Sequence, residues 1–310
     1  MNYKISVIIP VYNVEKYIEK CLHTLFQQTL SEIEYIFVND CSNDRSMEVL
    51  FKVIELYPSR KPHVKIINHE INKGVAAART SAMKVMTGEY MAHCDADDWI
   101  DSNAYERMYV IAKQEDADMV TCKYYNEPSH ADVKGTAFSG SAMNNLRKGQ
   151  YTYGLWDKII RSSIIKDNSI YPFEGINYNE DLNVIVRTLC YSKKVIGMEA
   201  PFYHHLMDRE GSICTNNYVH SVFTHSVPCM KRLDKWLDEF GKNHKRPEIT
   251  SKLTNPLKFW MKVGFYVNGD IKTWRNLWPE CRLHVFKVKS MSLKEKILMF
   301  FRSYKSLFIN

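Results

Sequence analysis

Short apolar runs alternate with amphipathic stretches through the first 125 residues. Ile5–Val11 and Ile33–Val38 have strand length and end in turn residues, and Val64–Ile67, Tyr90–Cys94 and Met119–Cys122 repeat the theme. Between the first two runs, Val14, Tyr17, Ile18, Cys21, Leu22, Leu25 and Phe26 recur with a period of 3.6. That spacing predicts a helix over 14–27, with Asn13 as its cap. Met47, Leu50, Val53, Ile54 and Tyr57 predict a second helix, and a third runs from Gly74 to about Thr87, stopped by Gly88. Strands and helices in this alternation imply βαβ units. The expected class is α/β: a Rossmann-like, mostly parallel central sheet with helices on both faces.

From Asn126 to Tyr153 the periodicity fades, and an excursion over the sheet is expected. Structure resumes at Leu155–Ile165, continues in a helix over 181–191, and returns to strands near Val195–Met198 and Phe202–His205. Beyond about Cys214 the chain turns to helices rich in Trp, Lys and Phe. The expected division is a catalytic domain over 1–215, with halves meeting near 125, and a helical C-terminal extension over 216–310.

A length of 310 residues suits one large domain with an appendage. Hydrophobic residues at 45% and charged residues at 25% exclude a mainly disordered chain. No run approaches the ~18 apolar residues of a membrane span. The opening MNYKISVIIPVYN reads as structure rather than a leader, which makes a cytoplasmic location the expectation. Eight scattered cysteines without a CxxC pair read as small buried hydrophobes.

The net charge of +7 is uneven. Arg282–Asn310 holds seven basic residues against one acid, a net +6, so the body is nearly neutral and no nucleic-acid partner is expected. In Met291–Phe308, Leu293, Ile297, Leu298, Phe300, Phe301, Tyr304, Leu307 and Phe308 interleave with basic residues. Such a helix either lies on an anionic membrane, giving peripheral contact through 285–310, or docks its apolar side on the catalytic domain with its lysines solvated.

Candidate chemistry gathers where the strands end, the place where open α/β sheets bind ligands. Strand one ends in Pro10-Val11-Tyr12-Asn13, strand two in Asn39-Asp40-Cys41-Ser42, strand four in Asp95-Ala96-Asp97-Asp98. Three carboxylates in four residues repel one another unless a cation sits among them. A Mg²⁺ or Mn²⁺ ion held by one or two carboxylates plus substrate phosphates fits. Strand alternation puts Asp95 and Asp97 on one side and Asp98 on the other. Helix capping by Asp98 and Asp101 is the alternative, and an Asp-x-Asp phosphohydrolase nucleophile is another. A calcium loop starting at Asp95 fails, because Trp99 and Ile100 stand where an oxygen ligand and a glycine are needed. Asn72-Lys73-Gly74, opening the helix that carries Arg79, reads as an anion site or as an ordinary Ala-rich core helix. Asp40 could cap the next helix, as Ser42 and Asp44 are expected to, or accept from a nucleobase N–H. Asn179-Glu180-Asp181 would satisfy a helix N-terminus.

Taken in order, Ser6–Asn13, Val38–Asp44, Asn72–Arg79 and Asp95–Asp98 resemble the family 2 glycosyltransferases of the GT-A fold, over roughly residues 1–215. The resemblance implies a nucleotide-sugar transferase, with Pro10, Tyr12, Asn13 and Asp40 around the nucleobase and Asp40 on uracil. It implies Lys73 and Arg79 near base and diphosphate, Asp95 facing the ribose, and Asp97 or Asp98 on Mn²⁺ or Mg²⁺. Asn39 stands where Asp is commoner, and Thr80 and Ala82 replace a usual Asn and Gly. Asp181 matches the family's general base, with Glu180 in support. Trp156 and Lys158 match its acceptor-side Trp-x-Lys segment. Tyr203-His204-His205 and Arg209-Glu210-Gly211-Ser212 resemble the segment that closes over the diphosphate, with His204 an added metal ligand.

The implied reaction is inverting transfer of a hexosyl or N-acetylhexosaminyl group from a donor, UDP-linked by expectation, to a hydroxyl of a glycan or lipid-linked glycan. Bacterial-type surface polysaccharide assembly is the implied setting. The other classes left standing are a nucleotide-sugar-binding protein without transfer activity and a Mg²⁺-dependent phosphohydrolase.

Overall fold

Seven consecutive residues from Ile5 to Val11 are almost wholly buried, as befits a strand covered on both faces. The computed structural model describes residues 2–127, 133–135, 139–148, 152–207, 218–287 and 292–302. It forms two compact units, Met1–Asn216 and Asn217–Asn310.

The first unit runs β1 (Ile5–Val11), α1 (Ile18–Phe26), β2 (Ile33–Asn39), α2 (Ser46–Glu55), β3 (Val64–Asn68), α3 (Val75–Val85), β4 (Tyr90–His93) and β5 (Trp99–Ile100). It continues through α4 (Ala104–Gln114), β6 (Met119–Glu127), β7 (Val133–Lys134), β8 (Gly140–Ser141) and α5 (Ala142–Lys148). β9 (Lys158–Arg161), α6 (Ser162–Asp167), α7 (Glu180–Tyr191) and β10 (Lys194–Leu206) complete it.

The strand order is β3-β2-β1-β4-β9-β6-β10-β5. β3, β2, β1 and β4 are mutually parallel, in register from Ile5 opposite Ile33 and Tyr90. β9 then enters antiparallel between β4 and β6, and β10 runs parallel to β6. The sheet is therefore more mixed than the periodicity implied. The two expected strands near 195–198 and 202–205 are one strand, β10, broken in register around Pro201. One face of the sheet buries Val7, Ile9, Tyr35, Phe37 and Ala92 under α1, α2 and α4, and α3 covers the other.

Local departures have local causes. α1 starts at Ile18, not Val14, because Asn13 is left-handed at φ 50° and the chain turns through 14–17 first. Asn13 caps nothing there; its Oδ1 accepts from Asn43 N at 2.9 Å and ties the ends of β1 and β2 together. Gly88 is not a left-handed helix stop either. A Cβ there would stand 2.6 Å from Ser6 N, so the residue is glycine because β1 passes against it.

The second unit is helical: α8 (Tyr218–Ser221) passes through one π turn into α9 (Val227–Asn243), followed by α10 (Asn255–Val267), α11 (Ile271–Asn276), a 3₁₀ segment Pro279–Lys287 and α12 (Leu293–Arg302). Its core is built on Cys229, Met230, Leu233, Leu237, Phe259 and Trp274. Of the seven described cysteines, six are buried and Cys41 is half-buried; Cys214 lies outside the described residues.

Candidate active site

The carboxyl ends of β1, β2 and β4 meet in one place, as the parallel register requires. Asp40, just past β2, is 3% exposed, and its two oxygens use three of the four acceptor positions of a carboxylate. Its Oδ1 accepts from Lys73 N at 2.9 Å and pairs with His69 Nδ1 at 2.7 Å, and its Oδ2 accepts from Gly74 N at 2.7 Å. His69 is held in turn by Ser81 Oγ, 2.9 Å from its Nε2. The amides of Lys73 and Gly74, just before α3, therefore serve Asp40, and within the first turn of the helix Asn177 Oδ1 accepts from Ala76 N at 3.2 Å. Where an anion site or an ordinary core helix was expected, protein oxygens hold the amides of Lys73, Gly74 and Ala76. Gly74, at φ 85°, packs so tightly on the Asn177 amide that a side chain would collide with it. Pro10 is half-buried on β1, while Tyr12, Asn13 and Lys73 are exposed at the rim.

Arg79 joins the two halves of the unit. Its Nη2 donates to Asp95 Oδ1 at 2.9 Å, and its Nη1 donates to Glu180 Oε1 and to Asp181 Oδ1. Burial opposes its charge, but Asp181, Asp95 and Glu180 more than offset that, so its pKa stands above the ordinary arginine value. Arg79 was expected near the base and diphosphate. At 3% exposed and bound to three carboxylates, it is a hub between strand end and helix start.

Asp181 opens α7 and takes a further hydrogen bond from Leu155 N at 3.2 Å. Burial pushes its carboxyl up to about 7; Arg79 opposes the shift and Glu180 and Asp95 add to it. A carboxylate poised there is suited to take a proton near neutral pH.

The acidic cluster lies in a turn between β4 and β5, closed by Asp98 N donating to the Asp95 carbonyl at 3.0 Å, so strand alternation does not order it. Asp97 is half-buried and lines a cavity of about 470 Å³ between the start of α1 and β5, with Lys16, Lys20 and Trp99 on the same wall. Asp98 is 1% exposed and points into the protein. Its carboxylate accepts from the Tyr203 hydroxyl at 2.7 Å and from Leu206 N at 2.8 Å, and it pairs with His205 Nδ1 at 3.2 Å. Asp98 is thus corrected from metal ligand to an internal brace.

His204 is corrected likewise. Its Nδ1 pairs with Glu127 at 2.8 Å and its Nε2 with Asp101 at 3.1 Å, and the ring is stacked between Trp99 and Tyr125. Its neighbour His205 instead shares the Asp98 side, stacked on Trp156 with centroids 5.1 Å apart. Burial lowers the His205 pKa, but Asp98, Asp95 and Asp97 raise it further, to a net value above the ordinary one. The period of two in a strand is the signal that separates the two histidines: Tyr203 and His205 share a face, and His204 does not.

Lys158 is corrected as well. It is 1% exposed, and its ammonium donates to Thr152 Oγ1 at 3.0 Å, to the Gly154 carbonyl and to Asp157. It ties down the 152–157 turn instead of reaching toward a ligand. Trp156, on that turn, is half-buried and stacks on Tyr203 as well as His205. Arg209 and Ser212 lie outside the described residues.

Among the described residues no three His, Cys, Asp or Glu side chains form a ready metal cage. A hard divalent ion that arrives with substrate phosphates needs only one or two carboxylates. Asp97, on the cavity wall with the His205 ring inside its electrostatic reach, meets that requirement.

Comparison with known proteins points one way. The profile of "Glycosyl transferase family 2" matches residues 6–177. "Uncharacterized glycosyltransferase EpsJ" of Bacillus subtilis is 39% identical over 40% of this chain and 35% of its own length. "Putative glycosyltransferase EpsH" of the same organism is 30% identical over 65% of this chain and 60% of its own. The chain therefore spans less than two thirds of either relative. Among solved structures, Staphylococcus aureus TarS 1–349 in complex with UDP-GlcNAc superposes with a TM-score of 0.74 at 21% identity, covering 96% of this chain and 87% of that one. That likeness establishes the fold: a mixed, mostly parallel sheet with helices and a helical C-terminal part.

Proposed function

Since the chain belongs to glycosyl transferase family 2, we propose that it moves a sugar from a UDP-linked donor to an acceptor hydroxyl with inversion at the anomeric carbon. One observation carries this reading: a single guanidinium, Arg79, binds both Asp95 at the end of β4 and Asp181 at the start of α7. A carboxylate suited to the donor's ribose and a carboxylate suited to act as general base are thereby held on one guanidinium.

In this mechanism Asp40 accepts from the uracil N–H while His69 and the amides of Lys73 and Gly74 hold its carboxylate in place. Asp95 meets the ribose. Trp156 lends an apolar wall to the acceptor. The acceptor oxygen attacks the anomeric carbon from the side opposite the diphosphate, its proton passes to the Asp181 carboxylate, and the bond from carbon to diphosphate oxygen breaks. Glu180 and Arg79 keep Asp181 oriented. Asp97 would hold Mn²⁺ or Mg²⁺ with the donor phosphates, and the ion would supply positive charge where negative charge develops on the leaving diphosphate. The names of two relatives, poly(ribitol-phosphate) beta-N-acetylglucosaminyltransferase TarS and a poly(ribitol-phosphate) beta-glucosyltransferase, support a polymer as acceptor and an N-acetylhexosamine or hexose as the group moved.

A panel of nucleotide-sugars incubated with the protein and Mn²⁺ tests the reading. UDP should be released slowly from at least one UDP-sugar without acceptor, and EDTA should stop the release. Phosphate released from simple phosphomonoesters, with every nucleotide-sugar left intact, would contradict it.

A further inference from the structure

The last described helix, α12, is seated on its own unit by one side only. Met299 is buried, Phe300 packs on Phe286 with centroids 5.1 Å apart, and Arg275 Nε donates to the Arg302 carbonyl at 2.9 Å. The rest of its apolar surface faces outward: Leu293 is 68% exposed, Ile297 40%, Leu298 46% and Phe301 66%. Leu293, Ile297 and Phe301 are successive turns of one flank, with Leu298 beside them. In the 3₁₀ segment beneath the helix, Leu283 and Phe286 are exposed as well, at 64% and 42%. Packing on its own unit therefore accounts for the Met299 side alone.

Large apolar side chains grouped in this way mark a contact surface, and the charge around them selects the partner. Lys294 stands exposed within the apolar flank, and Arg282–Asn310 carries seven basic residues against one acid. We propose that this face docks peripherally on an anionic lipid surface, with α12 lying in the headgroup plane, Leu293, Leu298 and Phe301 inserted and the lysines on lipid phosphates. A second copy of the chain fits less well, because a twofold contact would bring the same cations together. Ten residues of helix reach about 15 Å, half of the ~30 Å hydrocarbon core, so the helix lies on the bilayer and does not cross it. The inference stands apart from the sugar-transfer reading and uses none of its residues.

Flotation of the full chain with phosphatidylcholine vesicles, with and without phosphatidylglycerol, is the test. The protein should float with the anionic vesicles only, and less so as salt is raised. Leu298→Asp/Phe301→Asp should lower that partition at least ~10-fold while the thermal midpoint holds, since both side chains are exposed. Lys294→Glu should weaken it too, which keeps the test decisive should the double variant misfold. Equal partition of parent and variants, or no partition of the parent, would overturn the proposal. So would a parent dimer in sedimentation velocity, converted to monomer by the same variants, without vesicle binding.

Discussion

Asp181→Asn lowers transfer at least ~100-fold while UDP binding is retained, because asparagine keeps the side-chain shape but cannot take the acceptor's proton. The parent's pH profile has a matching acid limb. Only the carboxylate form of Asp181 accepts a proton, and burial pushes that group up to about 7. Turnover should therefore rise about tenfold per pH unit well below 7 and level off above it. The asparagine variant should lose this limb along with its rate. Stopped-assay turnover across pH 5 to 9, beside calorimetric titration of UDP, measures both effects. Unchanged turnover in the variant would remove Asp181 from the chemistry.

Arg79→Leu should be the most destabilising change at the site, by about 3–5 kcal/mol. Leucine fills much of the volume but leaves Asp95, Glu180 and Asp181 facing one another without their cation. The penalty has a definite pH dependence. Carboxylates stripped of a partner and crowded together bind protons more readily in the folded chain than in the unfolded one, so folding of the variant gains on the parent as pH falls. Denaturant unfolding at pH 8 and pH 5.5 should show the larger gap at pH 8. A gap independent of pH would mean that Arg79 contributes packing alone, and the hub would lose its electrostatic basis.

How far the chain could be read from its residues depended on the distance over which each feature is decided. β1, β2 and β4 were legible because a strand buried on both faces is a continuous apolar run, and α1 and α2 because each shows its own stripe; β3, half-buried at the sheet edge, showed through Val64, Ile66 and Ile67. β9 was obscured because its antiparallel insertion is a matter of register with β4 and β6, and its first residue is a fully buried lysine that looks like surface. Pro201 and its register break disguised β10 as two strands.

Within the site, the acidic cluster and Glu180-Asp181 stood out as polar residues at element ends. Their partners did not. Arg79 meets Glu180 and Asp181 from 101 and 102 residues away, and Tyr203 reaches Asp98 across 105. Local spacing holds no trace of such pairs. His69 was overlooked for another reason: it sits at the end of β3, ahead of the more conspicuous Lys73-Gly74, and its importance lies in the Asp40 carboxylate it fixes.

The central claim is that the ends of β1, β2 and β4 grip a nucleotide's base and its diphosphate together. A crystal of the full chain soaked with UDP and Mn²⁺ examines this most directly. The uracil ring should lie against Asp40 and the ion should bridge Asp97 to the diphosphate. Nucleotide bound elsewhere, with Asp97 distant from both ion and phosphate, would contradict it.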